Sequence, residues 1–191
     1  MLITPLLFSI IFITMRIISG KFKGRKINCN NLQHVRPTTD RTKESLFNIL
    51  NQHFTFEEIN ALDLFSGSGN LSYELASRGV TKITSVDKNI KCTKFIYNFS
   101  KTLNVELNIV NSSVLKFLNV TKLKFDLIIA DPPYSHSKEE IQDLIDLIFR
   151  KNILNKNGIL IVEHHKKNII SDHTLLFDTR TYGSNSLSFF K

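Results

Sequence analysis

Five short apolar runs, at 61–65, 83–86, 107–110, 125–130 and 159–162, alternate with longer stretches of helical period. Apolar runs this short and continuous are typical of strands covered on both faces, and such strands belong to parallel sheets. The helical stretches fall at 71–78, 90–103 and 138–151. Gly79 closes the first, at a position where a left-handed residue ends a helix. The last opens with Ser137-x-x-Glu140, a capping box, followed by apolar residues at 141, 144, 145 and 148. Near the end, 175–181 and 186–190 flank Tyr182-Gly183-Ser184-Asn185 and read as an antiparallel hairpin. The pattern predicts an α/β fold: a mostly parallel, seven-stranded sheet, helices on both faces, and the hairpin closing one edge.

The 191 residues suit one domain that buries a core without disulfides or metal. Cys29 and Cys92 are too few for a secreted disulfide framework, and no Cys/His cluster has zinc spacing. A reducing cytoplasm is the expected location, and nothing in the pattern calls for more than a monomer. Residues 1–14 are almost wholly apolar, too short to span a bilayer and without the basic start of a secretory signal. They are expected to be an artefact of the assigned start, with Met15 the true first residue, and no membrane association is expected.

Charge is unevenly placed. Between Met15 and Ser45 stand eight basic residues and two acids, six of the net +8. A basic patch in one terminal segment fits a polyanion, although a solvated basic face looks the same from charge alone. The segment 16–32 reads as a strand pair or extended arm turning at Gly20 and Gly24, and a helix follows Arg36-Pro37-Thr38-Thr39-Asp40 to about Phe54. Three parts result: the apolar extension 1–14, a basic segment with its helix at 15–54, and the α/β domain at 55–191.

The loop Asp63-Leu64-Phe65-Ser66-Gly67-Ser68-Gly69 lies where the first core strand meets its helix, and ligands of open α/β sheets bind beyond such strand ends. Gly67 and Gly69 let the backbone take positive φ and approach a ligand closely. Eighteen residues beyond Gly69, Asp87 ends the next strand, placed to accept hydrogen bonds from ribose hydroxyls. A nicotinamide dinucleotide site has similar spacing, but its third glycine would fall at Ser72. The Asp63 carboxylate would repel a pyrophosphate yet suits the cationic amino group of a methionine moiety. S-adenosylmethionine is therefore preferred, against a dinucleotide and against a plain tight turn.

Asp131-Pro132-Pro133-Tyr134 follows the run 125–130 directly. Two prolines stiffen the turn and remove donors, so the Asp131 carboxylate and the turn's carbonyls become fixed acceptors. Acceptors held together can take both hydrogens of an exocyclic amino group and aim its nitrogen at an electrophile, while Tyr134 offers a stacking face. Methyl transfer from a sulfonium needs little beyond such alignment, and orientation contributes on the order of 7–11 kcal/mol. A surface turn is the bland alternative for this tetrapeptide.

From Met15 to Lys191 the chain resembles the RsmD family, bacterial methyltransferases acting on the exocyclic N2 of one guanine in small-subunit (16S) ribosomal RNA. The resemblance rests on Met15-Arg16-Ile17-Ile18-Ser19-Gly20, Lys23-Gly24-Arg25-Lys26, Arg36-Pro37-Thr38-Thr39-Asp40-Arg41, Glu44-Ser45-Leu46-Phe47-Asn48, the glycine loop, Asp131–Pro132–Pro133–Tyr134 and Tyr182-Gly183. It implies a Rossmann-like S-adenosylmethionine-dependent fold. Asp131, Pro132 and Tyr134 would hold the guanine, and Asp63, Phe65, Gly67, Gly69 and Asp87 the cofactor. Arg16, Lys23, Arg25, Arg36 and Arg41 would contact 16S rRNA, within a small subunit or an assembly intermediate. Where the family has Asp or Asn for the adenine amino group, this chain has Ser113.

Two rivals stay open at this stage: an adenine-N6 DNA methyltransferase, and an RNA-binding assembly factor without catalysis. Adjacent His164 and His165 point to opposite faces of a strand and are poor metal partners. Cys92 reads as a small apolar residue, and Phe22 as either a core or a base-stacking ring.

Overall fold

The computed structural model describes residues 14–29, 32, 39–168, 170 and 173–191. The apolar residues 1–13 and Arg36, with its Pro37 and Thr38, lie outside the described residues. The first described element is a strand pair, β1 (Thr14–Arg16) antiparallel to β2 (Lys26–Asn28), so pairing begins one residue earlier than the division at 14.

Helix α1 (Asp40–Leu50) follows, capped by the Thr39 side chain accepting from the Thr42 amide. It stops four residues short of Phe54 because the amides of Asn51, Gln52 and His53 fold back onto Phe47, Ile49 and Leu50 as a closing turn. Strands and helices then alternate: β3 (Asn60–Leu64), α2 (Asn70–Ser77), β4 (Lys82–Asp87), α3 (Ile90–Leu103), β5 (Asn108–Asn111), α4 (Val114–Val120), β6 (Phe125–Ala130) and α5 (Lys138–Arg150). The chain closes with β7 (Leu154–His165), β8 (Leu176–Tyr182) and β9 (Asn185–Phe190).

The sheet runs β5-β4-β3-β6-β7-β9-β8, parallel from β5 to β7, with β9 antiparallel to both its neighbours. This is the expected sheet with its closing hairpin. Strand period two divides the core. Leu62, Leu64, Ile128, Ala130, Leu160 and Val162 face α4 and α5. Ala61, Leu127, Ile129 and Ile161 face α1 and α2. Helix α1 is thus part of one covering layer, and the division at 54/55 separates stretches of sequence rather than two cores. A third cluster seats the strand pair, Met15, Ile17 and Ile27 packing on Tyr73, Ile96 and Leu103.

Two features escaped the pattern. Helix α4 is only seven residues long and begins and ends in valine, too short to show a period. The start of β7 is the polar stretch Leu154-Asn155-Lys156-Asn157-Gly158, which reads as a loop but pairs irregularly with Phe125.

Candidate active site

Strand order reverses between β3 and β6, which are neighbours in the sheet although three helices and two strands separate them in sequence. Their registers align the strand ends: Leu64 lies level with both Val86 and Ala130, and Asp87 with Asn111. The loops that leave these ends open into one cleft of about 680 Å³. That volume is within the usual range for small-molecule sites. Asp63, Phe65, Gly67, Asp87, Ser113, Asp131, Pro132 and Tyr134, all singled out from sequence, line it.

Each wall is braced. Ser66 Oγ donates to the Asp63 carbonyl at 2.7 Å, and the Gly69 amide donates to the Ser66 carbonyl at 2.7 Å. Gly67 and Gly69 have φ of +53° and +78°. Gly69 serves packing rather than the cleft, because a Cβ there would meet Ile96 and Tyr73 at 2.9 Å, and it is not among the lining residues. Asp87 accepts from the Gly67 amide at 2.8 Å and from the Asn89 amide at 2.7 Å. The carboxylate thereby joins the two loops while facing the cleft.

Asp63 is buried, and burial raises its carboxyl to about 7, with the nearby Asp87 adding to the rise and Ser72 opposing it. Ser72 Oγ donates to Asp63 at 2.5 Å and contacts Ser85 Oγ at 2.7 Å. Among the described residues no cationic side chain pairs with Asp63. An acid held this way is poorly matched to a phosphate and well matched to an ammonium group.

Across the cleft, the Asp131 amide donates to the Leu64 carbonyl at 3.3 Å, tying the second motif to the end of β3. The Pro133 carbonyl accepts from the His136 amide at 2.9 Å, so it belongs to the turn. Among the described residues no donor reaches the Pro132 carbonyl. Phe65, with φ of +59°, sets its ring edge-on to His136 at 5.7 Å, bridging the two loops. Tyr134 is 44% exposed, its hydroxyl donating to Asn185 Oδ1 at 2.5 Å. Asn185 Nδ2 in turn donates to buried Glu163, and His165 packs edge-on to the Tyr134 ring. Buried His164 bonds Ser188 Oγ at 2.8 Å.

Residues 15–191 match the family described as Conserved hypothetical protein 95. The ribosomal RNA small subunit methyltransferase D of Haemophilus influenzae is 34% identical over 157 residues, 80% of this chain and 79% of that one. The chain belongs to the RsmD family. A solved candidate methyltransferase of Escherichia coli, yhhF, superposes with a TM-score of 0.79 at 26% identity, covering 93% of this chain and 97% of that one. A Haemophilus influenzae structure of a candidate methylase, HI0767, gives a TM-score of 0.75 at 29% identity. The fold is the Rossmann-like one of methyltransferases.

Within this RsmD-family chain, some expected site residues stand apart from the cleft. Arg16, Lys23, Arg25 and Arg41 are exposed on the strand pair, its turn and α1. Arg16 Nε is paired with Asp40 at 2.7 Å. Lys43, one of the eight basic residues in that segment, is buried against Glu74 and unavailable to a ligand. The Ser113 hydroxyl caps α4 by accepting from the Lys116 amide at 3.3 Å, which engages the oxygen that stands in for the family's carboxylate or amide. The Glu163–Asn185 support behind Tyr134 went unseen from sequence, because it links strands 22 residues apart with no motif around either residue.

Proposed function

We propose that this chain transfers a methyl group from S-adenosylmethionine to the exocyclic N2 of one guanine in small-subunit ribosomal RNA. The observation that carries the reading is the single cleft holding Asp63 and Asp87 on one side and Asp131 and Tyr134 on the other. The residues fit the donor: buried Asp63 offers its charge to an ammonium, and Asp87 offers acceptors to ribose hydroxyls. S-adenosylmethionine supplies an electrophilic methyl group on a sulfonium when bound.

The chain's own part is orientation and a proton. Asp131 and the Pro132 carbonyl accept the amino hydrogens of the base, which turns the nitrogen lone pair into the cleft. Tyr134, fixed at its hydroxyl by Asn185, supports the base by stacking. Methylation makes the nitrogen acidic, and the Asp131 carboxylate accepts the released proton. The exposed basic residues of the strand pair supply attraction for the phosphate backbone. Family membership favours rRNA, within the small subunit or an assembly intermediate, over DNA. Offering labelled S-adenosylmethionine with deproteinised DNA, small-subunit rRNA and assembled subunits tests this. Label in an rRNA-containing substrate is expected, and label in DNA alone would overturn the reading.

A further inference from the structure

Residues 88–105 contain four lysines and no acid; the next acid after Asp87 is Glu106. Helix α3 carries three of the lysines, and Lys91, Lys94 and Lys101 are all exposed. They share the outer face with Tyr97, a ring 55% exposed, over which Lys101 Nζ sits at 5.3 Å from the centroid. Surface helices ordinarily interleave charges of both signs, and lysines three apart with no intervening acid oppose one another. Lys91 also stands in the first turn, where the helix itself is electropositive and the chain places no acid. Lys101, in the last turn and over the Tyr97 ring, is favourable within the molecule, but Lys91 and Lys94 gain nothing there. A polyanion lying along the face compensates both and meets Lys101 beside them.

Position gives the face its meaning. The start of α3 is at the cleft, with Lys88, Asn89 and Cys92 among its lining residues. Further along, Ile96 and Leu103 pack beneath the basic strand pair. The helix therefore spans from the reaction site to the segment whose charge first pointed to RNA. We infer that the outer face of α3 is a second RNA-docking surface, on which Lys91, Lys94 and Lys101 follow the phosphate backbone and Tyr97 stacks an unpaired base. An exposed tyrosine between cations is the arrangement that single-stranded nucleic acid uses, since every base has a stacking face. This rests on the RNA reading above and extends it beyond the basic N-terminal segment.

The test uses the full chain with deproteinised small-subunit rRNA and with oligouridylate, titrated across a salt series. The triple variant K91Q/K94Q/K101Q is expected to weaken binding at least tenfold near physiological salt. It should also flatten the log Kd against log salt slope by about two to three, with S-adenosylmethionine affinity unchanged. Tyr97→Ala is expected to weaken oligouridylate binding about tenfold with the slope retained, and Tyr97→Phe to restore it. Comparison with K23Q/R25Q separates the two claims. If that pair loses RNA affinity while the α3 variants bind as wild type, the α3 surface is refuted and the RNA reading survives. If neither set loses RNA affinity, both are refuted. Loss of binding to phosphatidylglycerol vesicles in the triple variant, with RNA binding intact, would also overturn the proposal.

Discussion

Asp63 is the residue whose chemistry most directly separates a cofactor site from an ordinary turn. Its carboxyl rises from 3.8 to about 7 chiefly by burial, so the folded state holds a proton that the unfolded chain releases. Stability attributable to this group therefore falls as pH rises from about 4 to about 7, and stays lower above that. A bound ammonium reverses the preference by favouring the ionised form. S-adenosylmethionine affinity, measured by calorimetry, should accordingly weaken as pH falls below 7, by at most about tenfold per unit. Asp63→Asn should raise the thermal midpoint of the ligand-free protein at pH 8 and abolish the shift that S-adenosylmethionine produces. A variant that melts lower, or still responds to the ligand, would contradict this role. At the opposite wall, Tyr134→Phe keeps the ring but removes the bond to Asn185. We expect kcat to fall about tenfold with cofactor affinity unchanged, and Tyr134→Ala to lose more, since stacking on one base is worth about 1–3 kcal/mol. Aspartates and glycines in these motifs were legible from sequence because their chemistry is local. Ser72, Asn185 and Glu163 were not, because each gains its partner from a neighbouring strand or helix.

Among the elements, α2 links the glycine loop to the N-terminal strand pair. Buried Glu74 accepts from the amides of Ile18 at 2.8 Å and Ser19 at 3.1 Å, and pairs with Arg78 at 2.9 Å. Lys43 of α1 reaches the same carboxylate at 3.8 Å and donates to the Arg16 carbonyl at 2.5 Å and to Asn70 at 3.0 Å. Burial lowers the Lys43 pKa, and Glu74 opposes that shift. Removing one partner of a buried pair costs about 3–5 kcal/mol where the other charge is left stranded; Glu74 keeps Arg78 and its two amides, so losing Lys43 costs less than that. Lys43→Met should lower the denaturation midpoint because the Arg16 carbonyl and Asn70 lose their donor, and Glu74→Gln, which takes the shared counter-charge from both Lys43 and Arg78, should lower it more. Gly20 seals the same junction: a Cβ there would lie 1.8 Å from the Ser77 carbonyl oxygen. Gly20→Ala is expected to detach the strand pair from α2 and reduce RNA affinity more than S-adenosylmethionine affinity, as read by parallel titrations. The sequence announced α3 and α5 well, since both are long and capped, and placed β3, β4 and β6 within a residue, whereas β7 runs three residues past its apolar run because Glu163 and His164 are buried polar residues. It overran α1, whose closing turn depends on tertiary packing rather than on a stop residue.

Taken whole, the molecule brings Asp63 and Asp87 to one side of a cleft and Asp131 and Tyr134 to the other, which we propose to be the donor pocket and the acceptor clamp. The sheet order was not written in any single motif, yet alternation of element types and the crossover rules made a parallel core the expected outcome. Net charge by segment was a poorer guide. It counted Lys43, which is buried, and it averaged away the lysines of α3 against acids elsewhere. The central claim is that Asp131 presents a guanine amino group to the methyl donor across this cleft. Mapping methylated nucleotides in small-subunit rRNA from cells carrying the gene, lacking it, or carrying Asp131→Ala tests that most directly. One N2-methylguanine should be present in the first and absent from the other two. Its persistence in the Asp131→Ala cells, or the same rRNA pattern with and without the gene, would contradict the account.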